Sequence, residues 1–185
     1  MKAVIMAGGL GTRLRPLTKI IPKPLLPLGE KSILDIIIAS LSKGGVSHVI
    51  LATNYKSEMF HEYFADGARS PVSIQISKEN DPLGTAGHLS LLKDDLQEPF
   101  IVTNGDILTD LNFRNLLEFH KSNNADLTIV STKIETPLQY GVIKEEDGLV
   151  KDIHEKPNIV SEVLAGVYVV SPKVLALMQH NEKKL

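Results

Sequence analysis

The sequence contains no cysteine among its 185 residues, which excludes a disulfide framework and any metal site built from thiolates. It also lacks an excess of either charge, because 20 basic and 22 acidic residues leave a net charge of −2. A nearly neutral chain is not expected to bind nucleic acid or an anionic membrane. No apolar run approaches the roughly 20 residues that cross a bilayer, and the N-terminus lacks the pattern of a secretory signal. We therefore expect a cytoplasmic protein without nucleic-acid or membrane partners.

Strand-length apolar runs alternate with amphipathic helical stretches over the first two thirds of the chain. Strands are predicted at residues 2–7, 46–53, 72–77 and 100–104, and helices at residues 33–43, 56–65, 85–92 and 113–122. The helix at 33–43 has the clearest signals, because Ser32 with Asp35 gives a capping pattern and Gly44 ends the apolar periodicity. Such alternation favours a parallel, doubly wound sheet.

Beyond residue 125 the pattern changes to closely spaced strands. These are predicted at residues 126–132, 140–145, 150–155 and 163–170, followed by a short helix at 172–178. Asp147-Gly148 is a hairpin signal between two of them. We therefore expect an α/β fold, a Rossmann-like, doubly wound and mostly parallel mixed sheet with helices on both faces. The length fits a single domain over residues 1–185, and two small domains are the alternative.

A glycine-rich turn follows the first predicted strand. Gly8, Gly9 and Gly11 would let backbone N–H groups approach an anion, and Arg13 and Lys23 follow at short range. The glycines alone are equally consistent with a plain tight turn. The third glycine of a dinucleotide-binding G-x-G-x-x-G motif is missing and no P-loop pattern occurs, which argues against an NAD-type dehydrogenase. With the two cations, the turn favours a polyphosphate site outside both motifs.

The string that begins at Ala7 reads A-G-G-x-G-T-R-L-x-P-x-T, followed by P-K-P-L-L-P-L. It resembles the signature of the sugar-phosphate nucleotidyltransferases, the family that makes nucleotide-diphospho-sugars from an NTP and a sugar 1-phosphate. Further segments match the family's motifs in family order: Asp81-Pro-Leu-Gly-Thr-Ala-Gly87, Thr103-Asn-Gly-Asp106, Tyr140-Gly141, Glu155-Lys-Pro157 and Ala165-Gly-Val-Tyr168. The resemblance therefore extends over essentially the whole chain.

The resemblance implies an in-line attack by a sugar phosphate oxygen on the α-phosphorus of the NTP, with Mg²⁺ as cofactor and pyrophosphate as leaving group. Such chemistry needs alignment and charge neutralisation more than a nucleophilic side chain. Three residues match catalytic positions: Arg13 on the triphosphate and leaving pyrophosphate, Lys23 on the reacting phosphates, and Asp106 on the metal. A turn-capping role for Asp106 stays open. The family's nucleotide-binding turn matches Ala7, Gly8, Gly9, Gly11, Thr12 and Arg13.

Glu79, Gly84 and Thr85 match the family's base-binding segment. A carboxylate can accept hydrogen bonds from both N1–H and N2–H₂ of guanine, whereas uracil and thymine offer only N3–H. Glu79 therefore favours GTP, and the alternative is a solvated strand end.

Gly141, Glu155 and Lys156 match the residues that meet the sugar phosphate in this family. A polyol needs a hydrogen-bond acceptor such as Glu155, and a phosphate dianion needs a cation such as Lys156. Leu164 departs from the pattern, because many relatives carry a sugar-contacting asparagine there.

The family usually has a second metal-binding aspartate near a tryptophan in a C-terminal segment, and this chain has no tryptophan. We therefore expect a nucleotidyltransferase domain that lacks its C-terminal segment, which in relatives also contributes oligomer contacts, so a homo-oligomer stays among the expectations. A catalytically silent nucleotide-binding module is the alternative hypothesis. The six histidines show no metal-ligand spacing and are assigned no role, and Asp110 is expected to cap the helix that follows it.

Overall fold

The computed structural model describes residues 1–66, 70–81 and 83–178. The chain divides into two compact units. The larger unit joins Met1–Ile129 to the chain from Gly166 onward, and the smaller unit is Val130–Ala165. The single domain expected over residues 1–185 stays a prediction.

Strands within the described ranges are, in chain order, β1 Lys2–Met6, β2 Pro27–Leu28, β3 Lys31–Ser32, β4 His48–Thr53, β5 Ser73–Lys78, β6 Phe100–Asn104, β7 Leu127–Pro137, β8 Val142–Glu146, β9 Leu149–His154 and β10 Asn158–Val170. The α-helices there are α1 Ile33–Lys43, α2 Ser57–Tyr63, α3 Gly84–Gly87, α4 Phe113–Ser122 and α5 Pro172–Ala176. Short 3₁₀ turns cover Thr12–Leu14, Leu17–Lys19, Lys23–Leu25 and His88–Leu92. None of the helices in these ranges is long and apolar enough to span a membrane.

Six of the described strands form one mixed sheet in the order β5-β4-β1-β6-β10-β7. Strands β5, β4, β1 and β6 pair in parallel, and β10 pairs antiparallel with β6. The predicted mostly parallel mixed sheet is confirmed. Met6 is in register with Ala52 of β4 and with Asn104 of β6, so these three strands end at the same edge of the sheet. Ligands of doubly wound folds bind at such an edge.

Burial explains why β1 lies in the centre of the sheet. Ala3, Val4 and Ile5 have no exposed surface, as expected for a parallel strand covered on both sides. Helix α1 has the predicted bounds, and its predicted capping box is present: Ser32 Oγ accepts from the Asp35 N–H and Asp35 Oδ2 from the Ser32 N–H.

Several predicted bounds differ from the structure. The predicted helix at 85–92 is divided into α3 and a 3₁₀ turn, and the helices predicted at 56–65 and 172–178 are shorter. The last long strand begins five residues before its predicted start. Its first residues are mostly exposed, so they do not show the apolar pattern from which a strand is predicted. The prediction that Asp110 caps the next helix is wrong, since Asn112 Oδ1 accepts from the backbone N–H groups of Arg114 and Asn115.

Within the smaller unit, β8 and β9 form the predicted hairpin. Asp147 and Gly148 lie at its tip with φ of 52° and 77°, the left-handed pair that a type I′ turn requires. All six side chains of β9 are exposed.

Candidate nucleotide-binding site

A cleft of about 590 Å³ opens where β1, β4 and β6 end in the larger unit. Its walls come from the glycine-rich turn, from the 3₁₀ turns that contain Arg13 and Lys23, and from the residues that follow β5 and β6. The lining residues are Met6, Ala7, Gly8, Gly9, Leu10, Gly11, Thr12, Arg13, Leu14, Lys23, Pro24, Ala52, Glu79, Gly84, His88, Asn104, Gly105 and Asp106. The structure thus brings together the residues predicted for nucleotide binding and catalysis whose side chains it describes.

The glycines of the turn differ in backbone conformation and in the space available for a Cβ atom. Gly11 adopts a φ of 56°, and a Cβ there would lie 2.7 Å from Thr18 Cγ2. Thr18 Oγ1 also donates to the Gly11 carbonyl at 2.8 Å, which fixes the left-handed conformation. Gly8 and Gly9 do not have positive φ, and a Cβ on Gly9 would meet nothing within 4 Å. The backbone conformation therefore favours glycine at Gly11. At Gly9 the lack of a side chain leaves space in the cleft.

Two backbone carbonyls after the turn accept hydrogen bonds from Lys56, a residue that sequence reasoning did not single out. Lys56 Nζ donates to the Lys19 and Ile20 carbonyls at 2.6 Å each. These contacts fix the segment between Arg13 and Lys23, so Lys56 helps to position both cations.

Lys23 and Asp106 form an ion pair in the cleft, with Lys23 Nζ donating to Asp106 Oδ2. Each side chain is about one third exposed, at 33% and 34%. Lys23 begins a 3₁₀ turn stabilised by Pro24, and Asp106 comes two residues after β6. Arg13 lies in the neighbouring 3₁₀ turn and is exposed to the cleft.

Gly105 holds the Lys23 turn against the sheet edge. Its N–H donates to the Met6 carbonyl at 2.9 Å, and a Cβ on it would lie 2.9 Å from Pro24 Cγ and 3.0 Å from that carbonyl oxygen. The space beside Gly105 is therefore filled by Pro24, which places Lys23 next to Asp106.

The Glu79 carboxylate is nearly buried in the cleft wall. Glu79 Oε2 lies 3.4 Å from the Leu83 N, which donates to it, and 3.4 Å from His88 Nδ1. Burial raises the pKa of the Glu79 carboxyl above its ordinary value, and hydrogen bonds from the Leu83 N–H and from Asn54 act in the opposite direction. His88 is 2% exposed, and burial lowers its pKa to about 4, so its imidazole is neutral at physiological pH.

Sequence reasoning missed His88. The signal available in the sequence was a histidine directly after Gly-Thr-Ala-Gly and directly before a leucine-rich stretch. In the structure, Leu89 and Leu92 of that stretch are buried. His120 is buried between Thr128 and Ser171, as expected for a core histidine outside the cleft.

Gly84 follows Leu83 with a φ of 83° and begins α3, so a residue with a Cβ would be strained there. Thr85 belongs to the same short helix, and its side chain is outside the described part of the structure.

Among the described residues that line the cleft, the carboxylates are Glu79 and Asp106. No group of three or more acidic, histidine or cysteine side chains suited to a metal occurs in the described ranges. Mg²⁺ is commonly bound through one or two carboxylates together with substrate phosphates. Asp106, which lines the cleft, fits that donor set.

The residues predicted for the sugar phosphate lie in the smaller unit. A Cβ on Gly141 would come within 3.0 Å of Glu155 Oε2, so the absence of a side chain lets this carboxylate approach the backbone. Lys156 follows with a φ of 45°, and all three residues are exposed. Their role on the sugar phosphate stays a prediction.

The sheet and its cleft define an α/β protein with a cleft beside a glycine-rich turn, at one edge of a mostly parallel mixed sheet. The sequence model of the family described as Nucleotidyl transferase matches residues 2–185, and the chain belongs to this family. The predicted resemblance is confirmed.

Curated relatives include two mannose-1-phosphate guanylyltransferase catalytic subunits beta. The one from Danio rerio is 44% identical over 187 residues, which cover 97% of this chain and 52% of that protein. The one from Dictyostelium discoideum is 43% identical over 186 residues, with the same coverage. The chain therefore spans about half the length of these relatives.

Among solved structures, HddC from Yersinia pseudotuberculosis matches with a TM-score of 0.76 and 29% identity, over 98% of this chain and 81% of that one. HddC has also been solved in complex with GMP-PN. This likeness agrees with the Rossmann-like fold.

Proposed function

We propose that this chain forms the nucleotide-binding and catalytic part of a Mg²⁺-dependent nucleotidyltransferase, which condenses an NTP with a sugar 1-phosphate to give a nucleotide-diphospho-sugar and pyrophosphate. The observation that carries the proposal is the cleft in which Arg13, Lys23 and Asp106 surround the space beside the glycine-rich turn. Two cations and one carboxylate in a partly buried site suit a metal-bound triphosphate.

In the proposed reaction, an oxygen of the sugar phosphate forms a bond to the α-phosphorus of the NTP. The bond from that phosphorus to the bridging oxygen breaks, and pyrophosphate leaves with the electron pair. The permanently charged guanidinium of Arg13 would stabilise the negative charge that develops on the leaving group. Lys23 would exchange its contact with Asp106 for a phosphate oxygen and align the reacting phosphates.

Asp106 is the residue that would hold Mg²⁺, together with phosphate oxygens. The ion would supply charge neutralisation and a template for the triphosphate. Before substrate arrives, Lys23 neutralises the Asp106 carboxylate, which lowers the cost of keeping that charge partly buried.

GTP is the proposed nucleotide, because Glu79 presents a buried carboxylate to the cleft. Its acceptor atoms suit the two donors on the Watson–Crick edge of guanine. The names of the curated relatives and the complex of HddC with GMP-PN agree with this choice. From the same names, mannose 1-phosphate is the first sugar phosphate to test, with Gly141, Glu155 and Lys156 as its proposed contacts.

The test is pyrophosphate release by the 185-residue chain from GTP, ATP, UTP, CTP or dTTP with Mg²⁺ and mannose 1-phosphate. We expect release with GTP and its loss in Lys23→Ala. Turnover with a pyrimidine nucleotide in preference to GTP would contradict the base assignment, and full activity of Lys23→Ala would contradict the site.

A second candidate is a catalytically silent nucleotide-binding module. It is favoured by the absence of an acidic cluster in the described ranges, where Asp106 would be the one protein carboxylate on the metal. It predicts GTP binding to this chain without pyrophosphate release from any sugar 1-phosphate.

The cysteine-free composition also supports the proposal of a cytoplasmic location. A homo-oligomer is proposed from the family resemblance alone, and size-exclusion chromatography with light scattering would test it.

A further inference from the structure

His88 lies in the cleft wall, and the proposed reaction assigns it no task. Its ring bridges two polar groups, with Nε2 at 2.9 Å from Ser77 Oγ and Nδ1 at 3.4 Å from Glu79 Oε2. The side chain is 3% exposed, so these two groups account for its polar surroundings without water.

The chemistry of the neighbours fixes the tautomer of His88. An ionised carboxylate only accepts hydrogen bonds, so Nδ1 must carry the proton where it faces Glu79. Nε2 is then the acceptor, and the Ser77 hydroxyl donates to it. Because burial keeps the imidazole neutral, with a pKa of about 4, the hydrogen bond with Ser77 and the 3.4 Å polar contact with Glu79 keep this tautomer at physiological pH.

The two oxygens of the Glu79 carboxylate have different surroundings. The Leu83 N–H and His88 Nδ1 both approach Oε2, whereas Oε1 lies on the side of Gly8, 3.7 Å from the position of a Cβ on that glycine. Gly8 lines the cleft. Leu83 and His88 therefore contact Oε2, Asn54 also hydrogen-bonds the carboxylate, and Oε1 lies on the side of the glycine-rich turn.

We propose that His88 is a positioning residue that orients the Glu79 carboxylate to select guanine over adenine. This inference rests on the proposed function, in which Glu79 reads the base. Guanine presents two adjacent donors, at N1 and N2, whereas adenine presents one donor at N6 beside an acceptor at N1. A fixed carboxylate can therefore accept two hydrogen bonds from guanine, but from adenine it can accept only one while its second oxygen faces the N1 lone pair. A carboxylate free to turn away from adenine would discriminate less.

The test compares the dissociation constants of GTP and ATP, measured by isothermal titration calorimetry with Mg²⁺, because both ligands carry the same triphosphate. In His88→Leu we expect the preference for GTP over ATP to fall about tenfold through weaker GTP binding, with ATP binding unchanged. His88→Asn retains an amide donor where Nδ1 lies and should keep the preference within about threefold. Ser77→Ala releases the tautomer and should lower the preference about threefold.

A merely structural role for His88 would weaken GTP and ATP binding equally, and an equal loss or no loss in His88→Leu would overturn the inference. His120→Leu is the matched control, because His120 is also buried between two polar partners and lies outside the cleft lining. It should keep the wild-type ratio.

If His88→Leu fails to fold, Ser77→Ala provides the test. An unchanged preference for GTP over ATP in that variant would overturn the proposal. Wild-type protein that binds neither nucleotide would contradict the proposed function itself. Wild-type selectivity for GTP that survives in His88→Leu would contradict only the positioning role.

Discussion

The two units of the chain present their functional side chains in opposite settings. In the larger unit, the cleft follows strands such as β1, whose central residues are fully buried, and Lys23 and Asp106 pair at about one-third exposure. In the smaller unit, Glu155 and Lys156 follow a strand whose six side chains are all exposed. Charge interactions that are partly removed from water are stronger than exposed ones. Substitutions in the larger unit are therefore expected to have the larger effects.

The largest effect is expected for Asp106→Asn. The exchange preserves shape, removes the carboxylate proposed to hold Mg²⁺, and leaves Lys23 without its ionic partner. We expect pyrophosphate release to fall by about 10²- to 10³-fold. Asp110→Asn, an exposed carboxylate four residues further along, is the control and should retain activity. Equal activity of the two variants would remove Asp106 from the site.

Gly105→Ala tests whether the framework of the cleft is rigid. The added Cβ would meet Pro24 and the Met6 carbonyl oxygen at 2.9 and 3.0 Å, and a backbone atom cannot move away easily. We expect the free energy of unfolding to fall by about 1–3 kcal/mol in chemical denaturation. Gly9→Ala is the matched control, because its Cβ would meet nothing within 4 Å, and it should change stability by less than about 0.5 kcal/mol.

The pH dependence of stability tests the burial of His88. Its folded pKa is about 4 against an ordinary value of 6.5, so the unfolded chain takes up the proton first as the pH falls. Stability from this group is present above pH 6.5 and is lost toward pH 4, by about 2 kcal/mol between pH 7 and pH 5. Glu79, whose pKa is raised by burial, acts in the opposite direction over its own titration.

Comparison with His88→Asn isolates the histidine contribution, because Glu79 is retained. The free energy of unfolding of this variant should vary less between pH 7 and pH 5 than that of the wild type. His61→Asn, which removes an exposed imidazole, is the control for the loss of a histidine that is not buried. If the free energy of unfolding depended on pH equally in the wild type and in His88→Asn, His88 would not be buried as described.

The smallest effect is expected in the smaller unit. Lys156→Ala removes an exposed cation, and we expect KM for mannose 1-phosphate to rise about tenfold while GTP affinity is unchanged. Lys151→Ala, which removes another exposed lysine of the same unit, is the control and should leave KM unchanged. A loss of GTP affinity in Lys156→Ala would contradict the assignment of nucleotide binding to the larger unit.

Most of the cleft was predictable because its residues follow strong local signals. Apolar runs gave β1 and β6, and the motifs that follow them contain the glycine-rich turn and Asp106. The same pattern gave α1 with its capping box, because both signals are local in sequence.

Tertiary contacts were not predictable from local patterns. Gly105 accommodates Pro24, a residue 81 positions earlier, and Lys56 binds the carbonyls of Lys19 and Ile20. The link between His88 and Ser77 depends on how α3 and its 3₁₀ extension pack beside β5. In the smaller unit, exposed strands have weak apolar alternation, and their bounds were predicted less well.

The most direct test of the cleft as the triphosphate site is the affinity for GTP with Mg²⁺, measured by isothermal titration calorimetry on wild type, Lys23→Met and Lys19→Met. Lys19 is an exposed lysine four residues before Lys23 and is not part of the cleft lining. We predict that Lys23→Met weakens binding at least about tenfold, because it removes the cation proposed to contact the phosphate oxygens. Lys19→Met should bind GTP as the wild type does. Equal affinities of all three proteins would contradict the account.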